Sequence, residues 1–325
     1  MESNLSGLSV FKKQTSTLLL SLALAACAEG PTSSKQLATQ GLLSGELSPN
    51  GYLAVIGSVH HGGSFWNTKK KERLYDWNHK SGEYSSIRAS AVSGDGKRAV
   101  TCQEKDLVLW DATNGKSLQF WQAADRIEAI SLNQDGRRAL LGLRDGTVNH
   151  FDLDRGMAIH SFKHNAPIRA TDLSEDGAVG ISAGDDNIAK IWNLKTGKEQ
   201  YALSLNNQIK TAAISDSGKL AFTTSQREDA LVWDTKTGKS KFKFKNRYIN
   251  YTSADFSDDE KYLTLGTFQG VISKFNIKKG TEVKTWQAEP RQAYGGASSK
   301  AIIDVIDQKS NVIALTSDGM LEVFK

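Results

Sequence analysis

Past residue 35 the chain alternates short apolar runs with turns rich in Gly, Asp and Asn, and it does so almost to its last residue. One stretch shows the pattern. Arg126-Ile-Glu-Ala-Ile-Ser-Leu132 alternates apolar and polar positions, and Asn133-Gln134-Asp135-Gly136 follows as a turn. Arg138-Ala-Leu-Leu-Gly-Leu143 is a nearly continuous apolar run, closed by Asp145-Gly146. Val148-Asn149-His150-Phe151 alternates again, and a turn ending at Gly156 leads into Ala158-Ile159-His160-Ser161-Phe162. A period of two predicts β-strands, and Asp-Gly pairs supply the positive φ that tight hairpins need. Each such unit therefore predicts four short antiparallel strands.

The units share a phrase: an apolar strand ending in Trp or Phe, then Asp or Asn, with Gly five residues after the aromatic. It reads Trp77-Asn78 with Gly82, Trp110-Asp111 with Gly115, Phe151-Asp152 with Gly156, and Trp192-Asn193 with Gly197. It continues as Trp233-Asp234 with Gly238 and Phe275-Asn276 with Gly280, and a seventh copy, Leu321 to Phe324, stops before its turn. Recurrence at this scale marks a repeat architecture, in which each unit buries its apolar face only against its neighbours. The glycine of the phrase is expected in the left-handed conformation, between third and fourth strands. The first turn of the unit recurs at Gly51, Gly96, Gly136, Gly177 and Gly218, with Asp258-Asp259 in its place in the sixth.

Four-stranded units with a terminal Trp-Asp resemble the WD40 family of β-propellers. The likeness covers residues 35–325 and implies an all-β, seven-bladed ring. The fourth unit matches best, and there the resemblance implies a buried hydrogen-bonded tetrad of His164, Ser182, Asp186 and Trp192, structural rather than catalytic. Elsewhere only Asp145 and Asp318 stand where Asp186 does. Seven third strands are present, but nothing follows the last. The missing outer strand is expected from residues 35–40, so that the N-terminal strand closes the ring and removes an open edge.

Residues 1–26 do not share the repeat. Lys12-Lys13 precede the apolar stretch from Leu18 to Leu24, too short to span a bilayer and suited to a signal-peptide core. Leu24-Ala25-Ala26-Cys27 resembles the bacterial lipobox, which implies cleavage after Ala26 and acylation of Cys27. Several acyl chains on one residue give stable anchoring. Residues 27–34 then form a lipidated tether and 35–325 the propeller. Ala28, where a Gram-negative protein kept in the inner membrane carries Asp, points to the outer membrane, facing the periplasm. With Cys27 lipidated, Cys102 has no partner and is expected as a buried inert thiol.

Composition narrows the function classes. With 39% hydrophobic and 24% charged residues the chain is an ordinary globular protein, and a net charge of +5 does not call for nucleic acid. No phosphate-binding Gly-rich loop, paired-cysteine metal site or serine nucleophile elbow occurs, so no catalytic residue, metal or cofactor is expected. His60-His61 lacks a third ligand, and Asp185 stands alone once Asp186 is structural. Lys241-Phe242-Lys243-Phe244-Lys245 with Arg247 falls on the outer strand of the fifth blade, where lysines guard an edge.

Two insertions interrupt the repeat: residues 58–71, placed between the second and third strands of blade one, and residues 287–299, between blades six and seven. They carry His60, His61, Phe65, Trp66, Arg291 and Tyr294, all expected on loops of one face, with Trp121 in the loop entering blade three. Aromatics on long loops over a rigid frame suit protein binding. The expected function is a monomeric, non-enzymatic, lipid-anchored scaffold for a protein of the cell envelope. The alternative is an enzyme or small-ligand binder using the central channel, whose inner strands offer Arg126, Glu128, Lys210, Asp255 and Asp304 without a recognisable constellation.

Overall fold

The computed structural model describes residues 28–325 except 81, 245–247, 294–295, 299 and 309, so Cys27 and the signal segment lie outside the described residues. Every regular element among the described residues is a strand. The strands form seven four-stranded antiparallel sheets and one two-stranded hairpin, Arg291–Ala293 with Gly296–Ser298. Six sheets are consecutive in sequence: residues 42–76, 89–122, 127–163, 168–204, 209–244 and 251–287. These are blades one to six. The seventh takes three strands from residues 302–324 and its outer strand from Ser33–Gln36.

The closing strand runs antiparallel to Met320–Phe324, pairing Ser33 with Val323 and Gln36 with Met320. It lies earlier than the expected 35–40. Upstream, the main chain of Glu29 bridges in parallel to Trp286, and the Gln287 N–H donates to the Glu29 carbonyl at 3.0 Å. Residues 29–36 are thus laid along the outer edges of blades six and seven, where the expectation was a tether through 34. Unpaired edge carbonyls and N–H groups explain the capture, since each gains a backbone partner there.

The repeat register also needs correcting in blade one. Its third strand is Gly62–Asn67 and its outer strand Glu72–Asp76. Trp66-Asn67 is therefore the blade's aromatic phrase, and Lys71, at φ 59°, stands where the other copies have glycine. Trp77 comes after the outer strand. It is fully buried, stacked on Phe65 at 4.3 Å and on Trp110 of blade two at 5.2 Å. The extra residues of this region are consequently 77–88, between blades one and two, and not a loop within blade one. The number of blades is unchanged.

The phrase glycine has a packing role beyond its dihedral. A methyl group on Gly115, Gly156, Gly197, Gly238 or Gly280 would meet a ring from the outer strand of the preceding blade: Tyr75, Trp121, His160, Tyr201 and Phe242 in turn, each within 2.5 Å. Two of the rings are also tied by hydrogen bonds, Tyr75 Oη to the Thr113 carbonyl at 2.9 Å and Tyr201 Oη to the Lys236 carbonyl at 2.7 Å. Gly82, outside this register, meets nothing within 4 Å. At the seam, where the preceding blade ends in Ser33–Gln36, Lys71 replaces glycine and its ammonium bonds Ser33 Oγ.

The inner-to-second strand turns are built alike. Ser48, Ser93, Ser174, Ser215 and Ser257 each accept, on Oγ, the N–H of the residue five positions on, at 3.0–3.1 Å. Asn133 does the same with its side-chain oxygen at 2.9 Å. Cys102 is buried, and desolvation raises its thiol pKa above the ordinary value. Gly238→Ala is expected to cost about 2 kcal/mol or more, from the left-handed backbone and the displaced Tyr201 ring, and Gly82→Ala only about 1 kcal/mol from its backbone. Urea unfolding midpoints of the two variants test the difference.

Candidate functional site

The tetrad residues of blade four form one buried chain. The Trp192 indole donates to Ser182 Oγ at 2.8 Å, Ser182 Oγ lies 2.8 Å from His164 Nε2, and His164 Nδ1 lies 3.0 Å from Asp186 Oδ2. Burial lowers the His164 pKa, so the neutral ring, with its Nδ1 proton on Asp186, is favoured. Blade two carries a shorter version. Trp110 donates to Thr101 Oγ1 at 2.8 Å, and His79 Nε2 lies 2.9 Å from the same oxygen. In blade five Trp233 donates to Thr223 Oγ1 at 2.8 Å. Blade seven uses ions: buried Lys300 lies 2.6 Å from Glu322 and 3.5 Å from Asp318. Asp145 faces Lys163 at 3.2 Å instead of a histidine. These hydrogen bonds and ion pairs tie strands and connecting loops together within the blades.

The central channel is walled by the inner strands. At the lower end, the end carrying the inner-to-second strand turns, it opens into a cavity of about 880 Å³. Glu46, Asp172, Asp255 and Asp304 line its wall from blades one, four, six and seven. Three of them reach the next blade's inner strand: Asp172 Oδ2 accepts from Ile214 N at 2.8 Å, Asp255 Oδ2 from Asp307 N at 2.7 Å, and Asp304 Oδ2 from Leu47 N at 2.7 Å. Burial outweighs these bonds and raises the pKa of Asp172 and Asp304 to about 7. Asp255 and Glu46 are raised well above the ordinary range, again first by burial and then by neighbouring carboxylates.

The upper mouth, of about 360 Å³, mixes both signs, with Arg88, Arg169, Lys210 and Glu128 above Glu46, Asp172 and Asp304, which it shares with the lower cavity. The second residue of each inner strand, or its equivalent in blade two, forms a ring of Leu43, Arg88, Glu128, Arg169, Lys210, Thr252 and Ile303. An alternating run of ion pairs follows its charged side. Arg126 lies 3.3 Å from Glu128, Glu128 3.5 Å from Arg169, Arg169 2.5 Å from Asp185, and Asp185 2.7 Å from Lys210. Asp185 is therefore a bridge between blades four and five. Of the channel residues considered from sequence, Arg126, Glu128 and Lys210 gather at this upper rim, and Asp255 and Asp304 line the lower cavity.

The loop residues expected on one face divide. His60 and His61 are exposed in the turn between the second and third strands of blade one, and His61 stands edge-on to Tyr84 at 6.0 Å. Phe65 is a buried third-strand residue, and Trp66 is half-buried with its indole donating to Ser64 at 2.9 Å; the misplaced strand boundary explains both corrections. Trp121 belongs to the outer strand Ser117–Gln122 and packs edge-on to Phe151 at 5.5 Å, so it is no loop residue. Arg291 lies on the strand Arg291–Ala293, and Tyr294 lies outside the described residues. Lys243 of the outer strand of blade five pairs with Asp229 at 3.0 Å, and Lys241 with Asp234 at 3.5 Å; Lys245 and Arg247 lie outside the described residues.

Sequence reading missed Tyr84, Tyr248 and Phe268, exposed at 70%, 86% and 58% on connections of the upper face. They lie in 77–88, in the blade five-to-six connection, and in the second-to-third strand turn of blade six. It also missed Glu46 and Asp172. A signal for these was available: Glu46, Ser131, Asp172 and Asp255 occupy the same fifth position of their inner strands. No group of three or more His, Cys, Asp or Glu suited to a metal occurs among the described residues.

A raised carboxylate pKa means that the folded state holds a proton the unfolded chain has released. The contribution of Asp172 and Asp304 to stability is present below the unfolded value and is lost as pH rises from about 4 through about 7. Asp172→Asn is therefore expected to raise the melting temperature at pH 8 and to change it little at pH 4, as thermal scans at the two pH values would record.

A sequence profile described as nucleolar protein 10-like, N-terminal domain, a β-propeller, matches residues 97–233. A comparison with curated proteins gives no match. The profile spans from the second strand of blade two to the third strand of blade five, and the ring carries the same unit through all seven blades. Its four-stranded blades, with the outer strand of the last supplied by Ser33–Gln36, make this chain a seven-bladed β-propeller.

Proposed function

We propose that the protein is a non-enzymatic interaction scaffold, held to a bacterial envelope membrane by acylated Cys27, whose upper face from blade six round to blade one docks a protein partner. The observation that carries this reading is the exposure of Tyr84, Tyr248 and Phe268 on that face. Large aromatics on a rigid frame bring much contact area at low entropic cost. The loops bearing two of them are linked, because Phe268 N donates to the Asn250 carbonyl at 3.0 Å. The hairpin of residues 291–298, inserted between blades six and seven, and exposed His60 and His61 of blade one adjoin this sector.

The anchor rests on Leu24-Ala25-Ala26-Cys27 and on the short apolar stretch before it. Ala28 favours the outer membrane with the propeller in the periplasm. Glu29, two residues after Cys27 in the sequence, is bridged to Trp286 of the outer strand of blade six.

Cys27→Ser is expected to end palmitate labelling and to move the protein from the membrane to the soluble fraction. Retention with undiminished labelling would remove the anchor from the proposal. Photo-crosslinkers at 84 and 248 are expected to trap a defined envelope protein in cells, while one at Met157, exposed on the outer strand of blade three, traps none. Equal trapping from all three positions, or none, would overturn the docking face.

A further inference from the structure

Among the described residues the lower cavity has one sign of charge. Glu46 comes from blade one, Asp172 and Glu175 from blade four, and Asp216 from blade five. Blade six adds Asp255 and Asp258, and blade seven Asp304 and Asp307. Blades two and three contribute uncharged groups such as Gly94, Asn133 and Gln134, and none of the described lining residues is Lys, Arg or His. Of these carboxylates Asp307 is matched by a cation, Lys274 at 2.7 Å. Burial and neighbouring carboxylates raise the Asp216 pKa too.

One buried polar group on the wall has no partner among the described residues. Ser131 is 7% exposed and its hydroxyl makes no hydrogen bond. Glu46, in the same strand position two blades away, is half-buried, and the charges of Asp304 and Asp172 bear on its carboxylate. An acid-lined wall with an unsatisfied buried hydroxyl is short of donors. A polar group left without a partner is costly, and like charges in one low-dielectric recess concentrate the field on a counter-charge.

From this we infer that the lower end of the channel is a binding site for a linear organic polycation, whose ammonium groups donate to Glu46, Ser131 and the carboxylates of blades four to seven. Entry is from the lower face. At the upper mouth Arg88, Arg169 and Lys210 are paired with Glu104, Glu128 and Asp185, so that end offers a cation few free carboxylates. Alkylammonium chemistry has two sources, a free polyamine and a lysine-rich segment of another protein.

Carboxylates that hold protons in the free protein must release them to a cation, so binding is coupled to pH. Calorimetric titration of the full-length protein in detergent, with spermidine and separately with tetralysine, tests the site. At least one probe is expected to bind with 1:1 stoichiometry, to release protons, and to bind at least tenfold more tightly at pH 8 than at pH 6. Spermidine binding alone assigns a free polyamine; tighter tetralysine binding assigns a protein segment. Glu46→Gln combined with Asp258→Asn is expected to weaken binding at least tenfold, and neither side chain has a hydrogen bond for the fold to lose. Tyr84→Ser on the opposite face is expected to leave it unchanged. Absence of binding by both probes at millimolar concentration, or binding indifferent to the double variant, would overturn the site. The docking face above stands or falls separately, since its crosslinks arise on the other side of the ring.

Discussion

A single four-stranded sheet has two faces to bury and no means of doing so alone, so everything in this ring depends on how one blade seats against the next. The seat is built from a glycine held left-handed in one blade and a ring side chain of the blade before it. Five consecutive interfaces use that fit, with Tyr75, Trp121, His160, Tyr201 or Phe242 beneath the glycine. The aromatic cannot move closer and the glycine cannot be replaced without a collision, so each interface has one spacing. Asp172, Asp255 and Asp304 repeat the coupling at the inner radius by taking a backbone N–H from the following blade. Outer and inner contacts together fix the tilt of the blades, and the tilt sets the width of the channel.

Within that frame the blades solve their internal polar groups differently. Blade four completes a Trp-Ser-His-Asp chain, blade two stops at His79, and blade seven buries a lysine between two carboxylates. What is common is that an indole or a third-strand neighbour must find a partner inside the sheet stack. The identity of the partner is free to vary because backbone ladders and the glycine seat already define the blade.

Much of the fold was legible because strand, turn and phrase recur with the same chemistry. Asp176-Gly177 and its equivalents announce the hairpins, and the unfinished copy at Phe324 announces the closing strand. Blade one misled because Trp77-Asn78, followed by Gly82, imitates the phrase, while the true copy, Trp66-Asn67, has Lys71 in place of glycine. A lysine tolerated at φ 59° is visible only when the seam beneath it is seen to lack an aromatic. The candidate sites were less legible. Glu46 and Asp172 look like isolated acids until the inner strands are superposed; Tyr84 and Tyr248 sit in blade-to-blade connections, and Phe268 holds a turn position that Arg144 and Ser317 hold in blades three and seven. Trp66 and Trp121 drew attention as aromatics near loops, whereas strand pairing fixes them inside blades.

The pairing of Ser33–Gln36 with Met320–Phe324 puts the first and last strands of the ring in one sheet. Topologically the ring of strands is a circle with a single nick, and the nick falls within a blade, where the neighbouring strands hold it shut. Blade-to-blade connections are the natural places to move it. Joining the ends near residues 28 and 325 and reopening the chain between blades three and four would create a permuted protein with the same ring, but with its termini at a plain blade boundary. Such a molecule would separate the architecture of the propeller from the order in which its blades are synthesised.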